Sequence, residues 1–205
     1  MDPNSLTVPV TTSFVYLGHQ FAGSGSLSTA GDLRTSRATS AFHAMRRRAA
    51  ATGITRPKDL CWLFDCLVRP SLEFGCEVWG PQWICSWYRS PLSSSAGHSP
   101  SRQLQSRLLR SILNLPTTGT SLVYLYAEFG RWPLEIRYMT MAVNFWHRLR
   151  TLPPTCLASQ AFAAAQRLAD AWEAPLETVE PTLERFPGAL APWAAQMRYV
   201  LRNIQ

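Results

Sequence analysis

Apolar side chains recur at steps of three and four residues along most of this 205-residue chain. That period matches one face of an α-helix, whereas a half-buried strand would alternate at every second residue. Prolines and glycines divide the pattern into short helical segments, predicted at about 28–52, 57–69, 102–113, 121–129, 133–151, 156–173, 176–186 and 189–203. The spacing therefore predicts a mainly α fold, in which several amphipathic helices bury their apolar stripes against one another.

A strand pattern is confined to the segment 13–22 near the N-terminus. An apolar run from Phe14 to Leu17 precedes Gly18, and the Gly/Ser stretch at 23–26 predicts a turn. We expect a short β strand here, or the first arm of a hairpin, after an irregular lead-in. Residues 1–27 form the first predicted unit of the chain.

The composition excludes several classes of protein. A hydrophobic content of 46%, with 8 Trp and 9 Phe, supplies core material that a disordered chain lacks. No apolar run approaches the ~20 residues of a membrane span, and the first ten residues have no signal-peptide pattern. We expect a nuclear or cytoplasmic protein without a membrane partner. The Ser/Pro/Gly-rich stretch 89–101 predicts a linker.

The net charge of +7 is concentrated in one short region. Seven basic residues and no acidic one lie between positions 33 and 58: Arg34, Arg37, Arg46, Arg47, Arg48, Arg56 and Lys58. Arginine suits bidentate contact with phosphates, and each neutralised phosphate releases counterions. A charge run of this kind is also typical of a solvated helix face, and a GC-rich genome would produce the same preference for arginine.

The sequence offers no complete catalytic or metal-binding set. The five cysteines contain no C-x2-C pair, so we expect buried free thiols and no zinc site. No nucleophile-elbow pattern brings Ser, His and Asp together. Two-metal phosphoryl transfer needs converging carboxylates. The chain has no two adjacent aspartates among its five: Asp2, Asp32, Asp59, Asp65 and Asp170.

Two blocks of the sequence resemble non-LTR (LINE-type) retrotransposon reverse transcriptases, in the part just downstream of the catalytic palm. The first block is Phe14-Val15-Tyr16-Leu17-Gly18. The second matches the family pattern P-x-L-x-[YF]-G-x-E-x-W at every defined position: Pro70, Leu72, Phe74, Gly75, Glu77 and Trp79. A later stretch, with Glu128-Phe129-Gly130 and Phe145-Trp146, resembles the helical region that follows. The likeness covers about residues 13–152.

The resemblance implies a thumb-like helical bundle that holds nucleic acid. Tyr16, Leu17 and Gly18 would correspond to the primer grip, and the basic helix would lie along an RNA or RNA–DNA hybrid duplex. In the intact family a palm upstream carries the catalytic aspartates and Mg²⁺. This chain has neither that signature nor, by expectation, a cofactor of its own. We therefore expect no primer extension by the chain alone.

The same blocks carry structural expectations. We expect Trp79 to anchor the core. We expect Glu77 to be the partner of a buried arginine or of a helix N-terminus, and not a catalytic residue. Alternating apolar positions in the second block predict a chain that folds back on helix 57–69. In that arrangement Leu67, Phe74 and Trp79 would be buried together.

The sequence thus divides into the N-terminal unit, thumb-like basic helices at 28–88, the linker at 89–101, a post-thumb-like helical region at 102–152 and unassigned helices at 155–205. The favoured hypothesis is a non-catalytic fragment of a reverse transcriptase that contacts the template and primer. The alternatives are a helical protein-interaction domain without a nucleic-acid role, and the non-functional product of a pseudogene.

Overall fold

The computed structural model describes residues 11–16, 18–23, 27–89, 100–116, 119–173 and 191–204. These residues are mainly helical, with a short antiparallel hairpin at the start, as the sequence predicts. The strands are β1 (Ser13–Tyr16) and β2 (His19–Ala22). The helices are α1 (Ser28–Ala51), α2 (Pro57–Leu67), α3 (Arg69–Glu73), α4 (Cys76–Arg89), α5 (Pro100–Ile112), α6 (Leu122–Glu128), α7 (Leu134–Thr151), α8 (Leu157–Glu173) and α9 (Trp193–Asn203).

Two predicted elements lie largely outside the described residues. One is the linker at 89–101, of which only the ends are described, and these belong to α4 and α5. The other is the helix predicted at 176–186. No described helix has the length and apolar character that crossing a membrane requires.

The N-terminal segment forms a complete hairpin, which is one of the two forms that the sequence predicts for 13–22. Ser13 pairs with Ala22 and Tyr16 with His19, so the chain reverses between Tyr16 and His19, where Gly18 lies. Of the turn predicted at 23–26, positions 24–26 lie outside the described residues. Gly18 has a φ of +81°, a conformation that glycine adopts without a steric penalty. The glycine in this block therefore marks the turn, and the residues after it form the second arm.

The main core forms around α4, which contacts α1, α7 and α9, and it also includes Leu72 of α3. Trp79 of α4 is 1% exposed and makes edge-to-face contacts with Trp83 and Tyr138, at ring-centroid distances of 4.9 and 5.1 Å. Its indole Nε1 donates to the carbonyl oxygen of Phe74 at 3.1 Å. A buried tryptophan whose N–H has a partner is well suited to anchor a core. The expected core role of Trp79 is confirmed.

The second sequence block is helical, and the predicted joint burial of Leu67, Phe74 and Trp79 was wrong. Leu72, Cys76 and Trp79 are buried, whereas Phe74 and Leu67 are 48% and 52% exposed. α3 ends just before Gly75, whose φ of +68° turns the chain into α4. The alternation of apolar residues thus came from two consecutive helices, which bury different faces.

The C-terminal helices pack onto the rest of the bundle. Trp146 of α7 lies edge-to-face with Phe162 of α8, at 5.0 Å, in a second apolar cluster that includes Met197 of α9. α9 also contacts α4, and its Val200 belongs to the main core. α8 and α9, which belong to the segment that the sequence left without a role, therefore pack onto the bundle, α8 against α7 and α9 against α4.

A proline inside α4 connects α9 to that helix. Pro81 has no N–H, so the carbonyl oxygen of Glu77, four residues earlier, lacks its usual helical donor. The indole Nε1 of Trp193 in α9 donates to that oxygen at 3.2 Å. The gap that proline leaves in the helical ladder is thereby satisfied from a different helix.

Candidate nucleic-acid interface

The predicted nucleic-acid-binding residues do not share one environment. Arg34 is only 7% exposed, whereas the sequence grouped it with the surface cations. Arg46 is half-buried. The exposed members of the set are Arg37, Arg47, Arg48, Arg56 and Lys58. Burial thus divides a set that looked uniform in the sequence.

Arg34 belongs to a junction between the hairpin, α1 and α3. Its Nη2 donates to the carbonyl oxygen of Gly18 at 2.5 Å, and its guanidinium lies 4.1 Å from the ring centre of Phe74. His19 stacks on the same ring at 4.9 Å. Burial lowers the pKa of Arg34 from its usual high value, and Arg37 lowers it further. Arg34 therefore binds the protein's own turn and aromatic ring.

We call this set of residues, Gly18, His19, Arg34, Phe74 and Gly75, the hairpin junction. A Cβ on Gly18 would lie 2.9 Å from Nη2 of Arg34, and one on Gly75 would overlap the imidazole of His19. Both glycines are thus required by close contacts within the chain. The junction unites the two blocks that carry the family resemblance.

The predicted primer-grip residues lie at the outer edge of this junction. Tyr16 is 62% exposed, Leu17 lies outside the described residues, and Gly18 occupies the turn. The space beside the Gly18 α-carbon holds the Arg34 guanidinium, with Nη1 of Arg37 at 4.0 Å from the position of an added Cβ. The turn therefore adjoins Arg37, which is an exposed cation.

Arg37, Arg47 and Arg48 form what we call the basic face of α1. Positions 37 and 48 lie three helical turns apart on the same side of the helix, about 16 Å along its axis. Arg47 lies roughly a quarter turn further round, while Arg46 points to the opposite flank. Within the described part of the chain, no carboxylate approaches these three arginines to salt-bridge distance.

Beyond the helix, the remaining two cations are less distinctive. Arg56 lies 3.8 Å from Asp59, with both side chains largely exposed, and Lys58 is exposed at the start of α2. An exposed pair at that distance contributes little to stability. Both residues could contact an anion, but neither is on α1.

Residues of the second block occupy structural positions in α3 and α4. Leu72 is buried at 0% exposure, and Pro70 lies in the first turn of α3, where its missing N–H costs nothing. Glu77 lies in the first turn of α4, where a negative charge is favoured by the helix dipole. The helix N-terminus role stays a prediction, since the buried Oε2 of Glu77 has no hydrogen-bond partner among the described residues.

A second charged cluster links α2 and α3 to α7, and no direct sign of it is visible in the sequence. Asp65 accepts two hydrogen bonds from Arg131, at 2.8 and 2.6 Å, and lies 3.1 Å from Arg69. Glu73 lies 3.3 Å from Arg69 and accepts hydrogen bonds from Arg137. Only the four-residue spacing of 65, 69 and 73 can be read along the chain. The partners at 131 and 137 are too distant in sequence to be inferred.

The described residues do not assemble a recognisable reaction centre. Among them, no three His, Cys, Asp or Glu side chains lie close enough to hold a metal ion. Cys61, Cys76 and Cys85 are buried thiols as expected, while Cys66 is exposed, contrary to that expectation. Burial raises the pKa of Cys61 and Cys76, which keeps these thiols protonated. The strongest functional feature is therefore the unpaired basic face.

Comparison of the chain with protein-family models, with curated proteins and with solved structures found no match.

Proposed function

We propose that this protein binds the sugar–phosphate backbone of a nucleic-acid duplex through the basic face of α1 and does no chemistry itself. In an intact non-LTR reverse transcriptase this role would hold the RNA template and the primer beside an upstream palm. The expected duplex is RNA or an RNA–DNA hybrid, because the family that the sequence blocks resemble makes such a hybrid.

One observation carries the proposal: three exposed arginines without carboxylate partners among the described residues lie on one helix, and one of them, Arg37, adjoins the Gly18 turn of the hairpin. Arg69, Arg131 and Arg137 share two carboxylates, and Arg198 lies 2.7 Å from Asp170. Arg37, Arg47 and Arg48 have no such neighbour within the described ranges. Three unpaired guanidiniums on one helix, fixed at about 16 Å over three turns, suit a regular row of phosphates.

The test is the salt dependence of duplex binding. Replacing Arg37, Arg47 and Arg48 by Gln removes up to three phosphate contacts, so the slope of log K against log[salt] should flatten by up to about 3 units. Affinity should not depend on sequence, since backbone contacts carry no base information. An RNA–DNA hybrid should bind at least as well as DNA.

The structure supplies a matched control. Arg148, Arg150 and Arg167 are also exposed, have no carboxylate at salt-bridge distance among the described residues, and lie on α7 and α8. Replacing these three by Gln removes the same charge from another surface. If both triple variants flatten the slope of log K against log[salt] equally, binding depends only on the overall positive charge of the protein. That result would contradict the proposal.

A protein-interaction role is the second candidate, and the hairpin favours it. Phe14, Val15 and Tyr16 on β1 are 56–62% exposed, which is unusual for three consecutive large apolar residues. Absence of binding to either duplex at low salt would reject the first proposal and leave this strand as the surface to investigate.

A further inference from the structure

The charged cluster between α2, α3 and α7 opens onto a cavity of about 340 Å³. We call it the arginine pocket. Its polar wall consists of Asp65, Arg69, Gln105, Arg131 and Arg137, and Trp132 lies at its edge. The volume falls at the lower end of the range for small-molecule sites, roughly 300–1,000 Å³.

The charges of the cluster do not cancel. Its three arginines face two carboxylates, Asp65, which lines the pocket, and Glu73, which does not, so one positive charge remains. Each guanidinium has about five N–H donors, whereas each carboxylate offers about four acceptor sites. Donors therefore outnumber the acceptors within the cluster. Arg137 is the most accessible of the three, with 46% of its side chain exposed. The pocket thus presents surplus hydrogen-bond donors and surplus positive charge, which suits an anion.

Trp132 adds a flat apolar surface. It is 71% exposed, although tryptophan is normally well buried, and it follows Arg131 directly in the chain. Exposed aromatic side chains beside arginines are the usual platform on which unpaired bases stack. The surplus positive charge and the exposed ring together suit a small molecule that has a planar ring and a negative charge.

We infer that the arginine pocket binds a single nucleotide unit, with the base against Trp132 and the phosphate near Arg137. The unit could be a free nucleotide or the 5′-phosphorylated end of a single strand. Both present the same chemistry to the pocket. This site is separate from the basic face of α1, and it does not depend on the proposed duplex binding.

Calorimetric titration of the full chain with AMP tests the inference. AMP should bind saturably, and adenosine and inorganic phosphate should each bind at least about tenfold more weakly, because each lacks one of the two contacts. Trp132→Ala should weaken AMP binding by about tenfold or more, the usual loss when a stacking aromatic is removed. Its exposure makes this variant safe for folding.

Trp62→Ala is the matched control, since Trp62 is 63% exposed on α2 and does not line the pocket. It should leave AMP affinity unchanged, and so should the Gln variants of the basic face. A 5′-phosphorylated oligoadenylate, compared with its unphosphorylated form, identifies the source. Phosphate-dependent binding that Trp132→Ala weakens would assign the strand end, and AMP binding alone would assign a free nucleotide.

Two results would overturn the inference. One is the absence of saturable binding by both AMP and the phosphorylated oligonucleotide at millimolar concentration. The other is equal affinity of the Trp132→Ala and wild-type proteins. Neither result bears on the salt dependence of duplex binding, so the two proposals can fail independently.

Discussion

The indole N–H of Trp193 donates a hydrogen bond to the main-chain carbonyl oxygen of Glu77, which is the acceptor that Pro81 cannot serve. Trp193 and Glu77 are 116 positions apart in the chain. The bond attaches the last helix to the helix at the centre of the core. It also allows a proline inside α4, a position where proline ordinarily costs about 3 kcal/mol.

This relationship predicts a coupling between positions 193 and 81. Trp193→Phe keeps a ring but removes the donor, and should lower the free energy of unfolding by about 1 kcal/mol. Pro81→Ala restores a main-chain N–H that can reach the Glu77 oxygen. In that background Trp193→Phe should cost less, with a coupling of about 0.5 kcal/mol or more in a double-mutant cycle. Urea unfolding of the four proteins measures this coupling. An equal cost of Trp193→Phe in the wild type and in the Pro81→Ala background would contradict the predicted coupling.

Two aromatic residues of the second block should differ in their contribution to stability. Trp79→Ala removes a fully buried side chain and should cost about 3–5 kcal/mol. Phe74→Ala removes a half-exposed ring that contacts Arg34 and His19, and should cost about 1 kcal/mol. Chemical denaturation distinguishes these values. Similar losses for the two variants would mean that Phe74 is packed as tightly as Trp79.

Gly75 and Gly53 separate backbone strain from steric conflict. Both have a positive φ, +68° and +69°, but an added Cβ overlaps the His19 ring only at Gly75 and meets nothing within 4 Å at Gly53. Gly53→Ala should cost the left-handed penalty alone, about 1–2 kcal/mol. Gly75→Ala should cost at least about 1 kcal/mol more, because the imidazole must also move. Urea unfolding measures both costs. Equal losses in the free energy of unfolding would show that the His19 side chain moves aside without a cost.

The excess at Gly75 should vanish when His19 is shortened. In a His19→Ala background the conflict is absent, so Gly75→Ala should then cost about as much as Gly53→Ala does, about 1–2 kcal/mol. A persistent excess in that background would assign the conflict to another neighbour.

His19 should make stability depend on pH. Burial lowers the pKa of His19 from its usual 6.5, Arg34 lowers it further, and Glu77 opposes the change. The unfolded chain therefore binds a proton more readily than the folded one just below pH 6.5. The contribution of neutral His19 is complete above that value and is lost as the pH falls through the lowered pKa.

The comparison with His19→Gln isolates this effect. As the pH falls from about 7.5 to about 5, the wild type should lose stability relative to the variant. His147→Gln, at an exposed position on α7, is the control and should track the wild type. Parallel pH profiles for wild type and His19→Gln would mean that His19 titrates normally in the folded protein.

The helices and several core residues could be predicted from the sequence because their signals are local. Apolar spacing identified α1, α2, α6, α7 and α8 to within a few residues. A large indole in an apolar context identified Trp79 as a core anchor. α4 was missed, because Gly75, Gly80 and Pro81 interrupt its helical pattern. There the proline is tolerated only because a distant residue supplies the missing donor.

The candidate sites depend far more on tertiary structure. The sequence by itself determined that seven cations lie between positions 33 and 58. Only the fold decided that Arg34 turns inward to the Gly18 carbonyl while Arg37 stays outside. Only the fold brought Arg131 and Arg137 to carboxylates more than sixty residues away. The physical reason is that periodicity fixes which side of a helix a residue occupies, whereas the packing of helices fixes what that side meets.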